Sequence, residues 1–164
     1  LIVQGPKAGG HRSTWKITEE PDERALEKLL DGIFRHVNVP LIAAGGARCA
    51  EDVEHLIEWG ATSVACGSAF LLADEAGTSD RNRALLHEGG DSVSTRAFSG
   101  RYARGVETRF TREHPDLPPL YPQLNAIQKP LRNNPDHAYC LVGDDFAGKL
   151  LEGPAAEIEA KLLG

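Results

Sequence analysis

The chain has 164 residues, enough for one ordinary domain with a real core. Its 18 Lys and Arg against 24 Asp and Glu leave a formal charge of −6, which attracts neither a nucleic-acid backbone nor an anionic membrane surface. No apolar run approaches the roughly 20 residues of a membrane span, and residues 1–15 carry Gly, Lys, His and Arg too early for a signal peptide. The cysteines, Cys49, Cys66 and Cys140, are odd in number and without a CxxC pair, so reduced thiols and a cytoplasmic location are expected. Methionine is absent and Leu1-Ile2-Val3-Gln4 already reads as a buried strand, so we expect a fragment whose natural N-terminus lies upstream.

Leu1–Val3 runs into a glycine-rich loop, Gly5 to Ser13. Residues 21–37 read as a helix, with Leu26, Leu29, Leu30, Ile33, Phe34 and Val37 at helical spacing and Pro21 in its first turn. Val39-Pro40-Leu41-Ile42-Ala43-Ala44 is apolar on both faces, as in a parallel strand buried on both sides, and ends at Gly45-Gly46. A helix over about 50–59, with Val53, Leu56 and Ile57 inward, stops at Gly60 as at a left-handed cap. Residues 62–66 form a third strand, followed by Gly67-Ser68, a short helix near 69–73 and another near 81–88. This βα repeat predicts a parallel α/β architecture with its ligand end where the strands meet glycines. Beyond Gly90 the chain turns arginine-rich and then proline-rich, with a short helix near 124–132 interrupted by Pro130 and an amphipathic helix over 154–163. The expected organisation is βα units over 1–90 and an extension over 91–164 packed on them.

Ala43-Ala44-Gly45-Gly46 and Ala65-Cys66-Gly67-Ser68 each join a strand to a helix. Glycine lets backbone N–H groups approach an anion, and Ser68 adds a hydroxyl donor. One such loop reads as a tight turn; two in tandem favour a phosphate site of the kind found after strands seven and eight of TIM barrels. Gly5 and Gly10 have P-loop spacing, but His11 and Arg12 stand where Lys and Ser/Thr belong, and no GxGxxG is present. His11 follows Gly9-Gly10 just past a strand end, where a general base or a structural histidine would both fit. None of the other histidines has a metal-ligand spacing, so no metal is expected. Arg96, Arg101, Arg104, Arg109 and Arg112 form a local cluster, read either as ion pairs with nearby acids or as a source of one contact to the bound ligand.

Gln4-Gly5-Pro6-Lys7-Ala8-Gly9-Gly10-His11-Arg12 resembles the Q-G-x-E-A-G-G-H segment of the nitronate monooxygenases, formerly called 2-nitropropane dioxygenases. Val39 to Gly46 is similar to their V-P-V-I-A-A-G-G strand and loop, and Ala65-Cys66-Gly67-Ser68 to their final strand ending in G-T or G-S. Thr95 to Gly105, Tyr121-Pro122 with Asn125, and Pro130-Leu131-Arg132 continue the likeness in family order. Lys7 and Ser13 depart from the pattern, and of Leu141-Val142-Gly143-Asp144 only Gly143 fits the family's W-A-G-Q.

The resemblance implies a TIM (β/α)8 barrel of which this chain holds strands six to eight and a C-terminal helical extension, the N-terminal half being its missing partner. It implies FMN held by Gln4, Gly9, Gly45, Gly46, Ala65, Cys66, Gly67 and Ser68, with His11 as the active-site histidine. The implied reaction oxidises an alkyl nitronate or nitroalkane with O2 to a carbonyl compound and nitrite, and the fragment alone is expected to be inactive. A flavin-dependent enoyl-ACP reductase using NAD(P)H, or a non-catalytic FMN-binding remnant, are the alternatives.

Overall fold

A computed structural model describes residues 1–164. The strands are β1 (Ile2–Gln4), β2 (Gly10–His11), β3 (Ile42–Ala44), β4 (Ser63–Ala65), β5 (Leu72–Ala73), β6 (Ser92–Thr95), β7 (Ala103–Val106) and β8 (Glu152–Gly153). The α-helices are α1 (Leu26–Phe34), α2 (Ala50–Glu58), α3 (Asp80–Glu88), α4 (Arg109–Glu113), α5 (Gln123–Gln128) and α6 (Ala155–Leu163). None is long and apolar enough to cross a membrane. Two compact units interleave along the chain: Leu1–Ala8, Asp22–Thr78 and Lys149–Gly164 form the first, Gly9–Pro21 and Ser79–Gly148 the second.

The first unit is built on a parallel sheet in the order β1-β3-β4, with Val3 paired to Ala43 and Ala43 to Val64. Val3, Leu41 and Ala43 form one buried core with Leu26, Leu29 and Leu30 of α1 and Leu56 of α2; Val64 and Val53 pack against it. The sheet is therefore covered on one face within this unit. On the other, Ile2 is 64% exposed and Ser63 and Ala65 are open. This differs from the expectation of strands buried on both sides, because both helices lie against the Val3–Ala43 face. The helix α6 packs on α2 through the buried Ile158 and Leu162, and β8 pairs with β5.

Helix α1 starts five residues later than Pro21. The Asp22 carboxylate accepts the Arg24 backbone N–H at 2.9 Å and is clasped by its guanidinium, a local turn that competes with helix, and Ala25 is extended. It ends at Phe34, and Phe34 and Val37 are exposed rather than inward. On α2 likewise, Leu56 is buried and Val53 packs on the core, but Ile57 faces out. The α2 terminus matches its sequence signal: Gly60 takes φ +96°, its N–H reaches Ile57 O, and the Ala61 N–H reaches Leu56 O. That is a Schellman cap, and its usual apolar contact is supplied by Ala61 and Leu56, both in the core.

The second unit holds an antiparallel sheet, β2-β7-β6, in a stretch whose sequence pattern predicts no strands. β6 and β7 pair Ser92 with Val106 through Thr95 with Ala103, joined by a 3-10 turn over Arg96–Phe98. Helix α3 is capped by the Ser79 hydroxyl, which accepts the Asn82 N–H, and α4 by a reciprocal Thr108–Thr111 capping box. Phe98, Ala103, Val142 and Phe146 are buried. Gly105 leaves room for the Cys140 carbonyl, which would lie 2.5 Å from any Cβ there.

Leu30 is wholly buried, so Leu30→Ala is expected to lower the unfolding free energy by about 2–5 kcal/mol. Lys28→Ala, on the exposed side of the same helix, is expected to stay within about 0.5 kcal/mol. Denaturant titration checks both, and equal effects would remove Leu30 from the core.

Candidate functional site

In the first unit the register of β3 against β4 sets Ala44 beside Ala65, so the loops that follow emerge side by side. Gly45 has φ +117° and Gly46 φ +93°. A Cβ on Gly45 would lie 2.8 Å from the Ala8 nitrogen, so glycine is required there by both backbone angle and space. The amide groups of Gly46 and Gly67 donate to no protein group. Ser68 opens a 3-10 turn over Ser68–Phe70, and Gln4 ends β1 opposite Ala44.

Arg48 stands just beyond these glycines. Its Nε and Nη2 are buried without a partner, and only Nη1 approaches the Gly46 carbonyl, at 3.5 Å. Buried donors left without a hydrogen-bond partner are costly. Cys66 is half-buried, and burial, followed by the Asp52 carboxylate, pushes its thiol up, so it is neutral and not a nucleophile. On the helix side of Gly45–Gly46 a cavity of about 280 Å³ is lined by Glu23, Glu27, Asp52, His55 and Trp59. Three carboxylates against Lys7 make it a poor place for a phosphate.

Gly9 and His11 belong to the second unit. A Cβ on Gly9 would lie 2.6 Å from both the Gly143 nitrogen and the Val142 carbonyl carbon, so the tail backbone packs directly on this residue. Gly10 has φ +86°. β2 carries His11 along the edge of β7, with His11 opposite Ala103 and the Arg12 N–H bonded to Tyr102 O at 2.9 Å. The His11 Nε2 lies 2.8 Å from the Ser99 hydroxyl, and the Tyr121 ring meets the imidazole edge-on at 5.7 Å. Burial, then the Arg101 and Arg132 guanidinium groups, hold the imidazole below its ordinary pKa of 6.5. His11 is thus neutral at neutral pH and able to accept a proton.

The arginine cluster divides. Arg109 with Glu113 and Arg112 with Glu107 are exposed ion pairs, each worth little. Arg104 joins Asp144 at 3.2 Å and Ser92 at 3.1 Å, which anchors the tail segment that packs on Gly9. Arg101 donates to the backbone carbonyls of Arg12 and Thr14 and so fixes the strand carrying His11. Arg96 pairs with Glu20 and lies 4.0 Å over the Tyr102 ring.

The structure thus gathers Gln4, Gly45, Gly46, Ala65, Cys66, Gly67 and Ser68 at one set of strand ends in the first unit, and Gly9 with His11 in the second. Ser99, Tyr121 and Arg48 were not singled out in the sequence. Ser99 and Tyr121 lie 88 and 110 positions from His11, and only their membership of family-like segments marked them.

Among curated relatives, a probable nitronate monooxygenase of Staphylococcus haemolyticus (strain JCSC1435) is 32% identical over 139 residues, 80% of this chain and 39% of that protein. One of Staphylococcus aureus (strain JH9) is 34% identical with the same coverage. The chain therefore spans well under half the length of these curated relatives. Nitroalkane oxidase from Streptomyces ansochromogenes superposes with a TM-score of 0.87 at 30% identity, over 98% of this chain and 49% of that one. FabK from Thermotoga maritima gives 0.74 at 22% identity, over 99% and 52%, a likeness of fold alone. The family model for nitronate monooxygenase matches residues 1–161, and the chain belongs to that family.

Proposed function

We propose that this chain is the FMN-holding, His11-bearing portion of an enzyme that oxidises alkyl nitronates with O2 to carbonyl compounds and nitrite. The observation that carries the reading is the register placing Gly45–Gly46 beside Gly67–Ser68, with the Gly46 and Gly67 amides undonated. The unpaired Arg48 donors beside this rim fit a phosphate as well. In this reading β1, β3 and β4 are strands six, seven and eight of a TIM barrel, and the glycine loop followed by a short helical turn is the phosphate grip of that fold. These three strands make up part of such a barrel, and the chain covers 39–49% of these relatives' lengths.

The flavin would supply the redox chemistry, taking electrons from the nitronate and delivering them to O2. The chain's own residues would bind and orient. Gln4 and Gly9 would contact the flavin, while Gly46 and the Ala65–Ser68 turn hold its phosphate and Gly45 shapes that turn. His11, kept neutral, would be the base or polar partner of the nitro group.

The deciding measurement is made on the full-length gene product that contains this chain. A yellow protein that bleaches anaerobically with propyl nitronate, without NADH, and releases nitrite in air is the expected result; bleaching by NADH with indifference to nitronate would give the reaction to a reductase. His11→Ala is expected to retain flavin and lose about 10²–10⁴-fold in kcat. Because the His11 pKa is lowered, its neutral form persists below pH 6.5. The acid limb of kcat/KM, measured with preformed nitronate, should accordingly fall below that value; a limb above it would show that His11 is not the titrating base. Arg48→Met is expected to weaken FMN about tenfold or more while leaving riboflavin affinity unchanged. An equal loss for both would place Arg48 away from the phosphate.

A further inference from the structure

The guanidinium groups around His11 differ in what they face. Arg96 and Arg104 are each paired with a carboxylate, that of Glu20 and of Asp144, and Arg101 donates to the carbonyls of Arg12 and Thr14. Arg132 is held only by neutral groups. Its Nη2 donates to Asn125 Oδ1, its guanidinium lies 3.8 Å over the Tyr139 ring, and its backbone carbonyl accepts from Arg81 Nη1 at 3.0 Å. Its Nε is buried without an acceptor, and Nη1 has no protein acceptor either. Asp80, which lines a cleft with Arg132 and Tyr139, forms no ion pair with it. These contacts orient the positive charge and leave it uncompensated.

Two routes of contact connect this charge to His11. The chain is already helical before α5, with the Leu124 N–H on Leu120 O at 2.8 Å and the Ala126 N–H on Pro122 O at 3.1 Å. Tyr121 and Asn125 therefore stand one turn apart on the same side. Tyr121 meets the His11 ring edge-on, and Asn125 holds Arg132. On the second route, the Tyr139 ring beneath the guanidinium lies edge-on to Phe98, in the turn that Ser99 closes, and Ser99 is bonded to His11. The charge is felt at the histidine: after burial and Arg101, it is Arg132 that holds the imidazole below its ordinary pKa.

We propose that Arg132 is a substrate-recognising residue of the His11 site, its guanidinium selecting the anionic nitronate over the neutral nitroalkane. The proposal rests on the reading of that site as the one for nitronate oxidation. A nitronate spreads one negative charge over two coplanar oxygens, as a carboxylate does, and a guanidinium edge matches that shape. A nitroalkane carries no net charge and gains little from the same group. A carboxylate paired with Arg132 would cancel most of this difference. The same positive charge opposes protonation of His11, so one side chain attracts the anion and helps to keep the imidazole neutral.

The test compares Arg132→Met and Arg132→Lys with the unmodified full-length gene product that contains this chain. Butyrate, which sets a carboxylate where propyl nitronate has its nitro group, is titrated by calorimetry, with butyramide as the neutral control. Arg132→Met is expected to weaken butyrate about 10–100-fold, the range of a hydrogen bond to a charged group, and to change butyramide by less than about twofold. Arg132→Lys, which keeps the charge without the fork, is expected to recover part of the loss. In turnover, Arg132→Met is expected to raise KM for propyl nitronate by a similar factor with kcat little changed. Equal losses for butyrate and butyramide would show that Arg132 only supports the fold. Unaltered butyrate affinity in folded Arg132→Met, or none in the unmodified protein, would also overturn the proposal. Arg132→Gln, neutral but still polar, gives the same comparison if Arg132→Met does not fold. Butyrate binding that depends on Arg132, in a protein that ignores nitronate, would uphold the anion recognition and remove the proposed reaction instead.

Discussion

The site depends first on strand register. Because Val3, Ala43 and Val64 lie in one row of a parallel sheet, three strands reach their C-terminal ends together and hand over to glycines at Gly5, Gly45 and Gly67. A slip of one residue would turn Ala43 out of the core and move every loop atom by a strand step. The apolar row on α1 and α2 prevents that slip, since only one register buries Val3 and Ala43 against Leu29, Leu30 and Leu56. The helices thus set the glycine rim indirectly, by fixing which residue of each strand is the last one paired.

The parts of this arrangement that were legible in the sequence are those governed by short-range chemistry. Gly60 after Leu56-Ile57 announces a left-handed cap, and the cap is present with both of its hydrogen bonds. Gly45-Gly46 after a run of apolar residues announces a strand end, and both have positive φ. The start of α1 was misplaced because Asp22 and Arg24 close a local turn that helical periodicity does not register. The β2-β7-β6 sheet was missed for a related reason: Ser92-Val93-Ser94-Thr95 and Ala103-Arg104-Gly105-Val106 are short and half polar, with too little alternation to mark a face.

Contacts between distant residues were the least legible. Glycine at 9 could be read as a glycine, but the reason for it is the backbone of Val142 and Gly143. Likewise, Ser99 stood in a family-like segment without its bond to His11 being visible. The arginines illustrate the same limit in charge rather than space. Five cations within 17 positions read as one cluster, yet they serve separate ends: two pair on the surface, one clasps Glu20, one holds the carbonyls behind His11 and one holds the tail through Asp144.

The packing of Gly9 against Val142–Gly143 has a consequence for how this family can change. With no side chain to act as a cushion, the loop feels the tail at van der Waals distance, two residues before the histidine. Tail length and loop geometry are therefore epistatic. An insertion or deletion near residue 142 would alter the position of His11 without touching any residue of the loop itself, so divergence in the C-terminal segment offers a route to retuning the site that leaves its glycine-and-histidine signature intact.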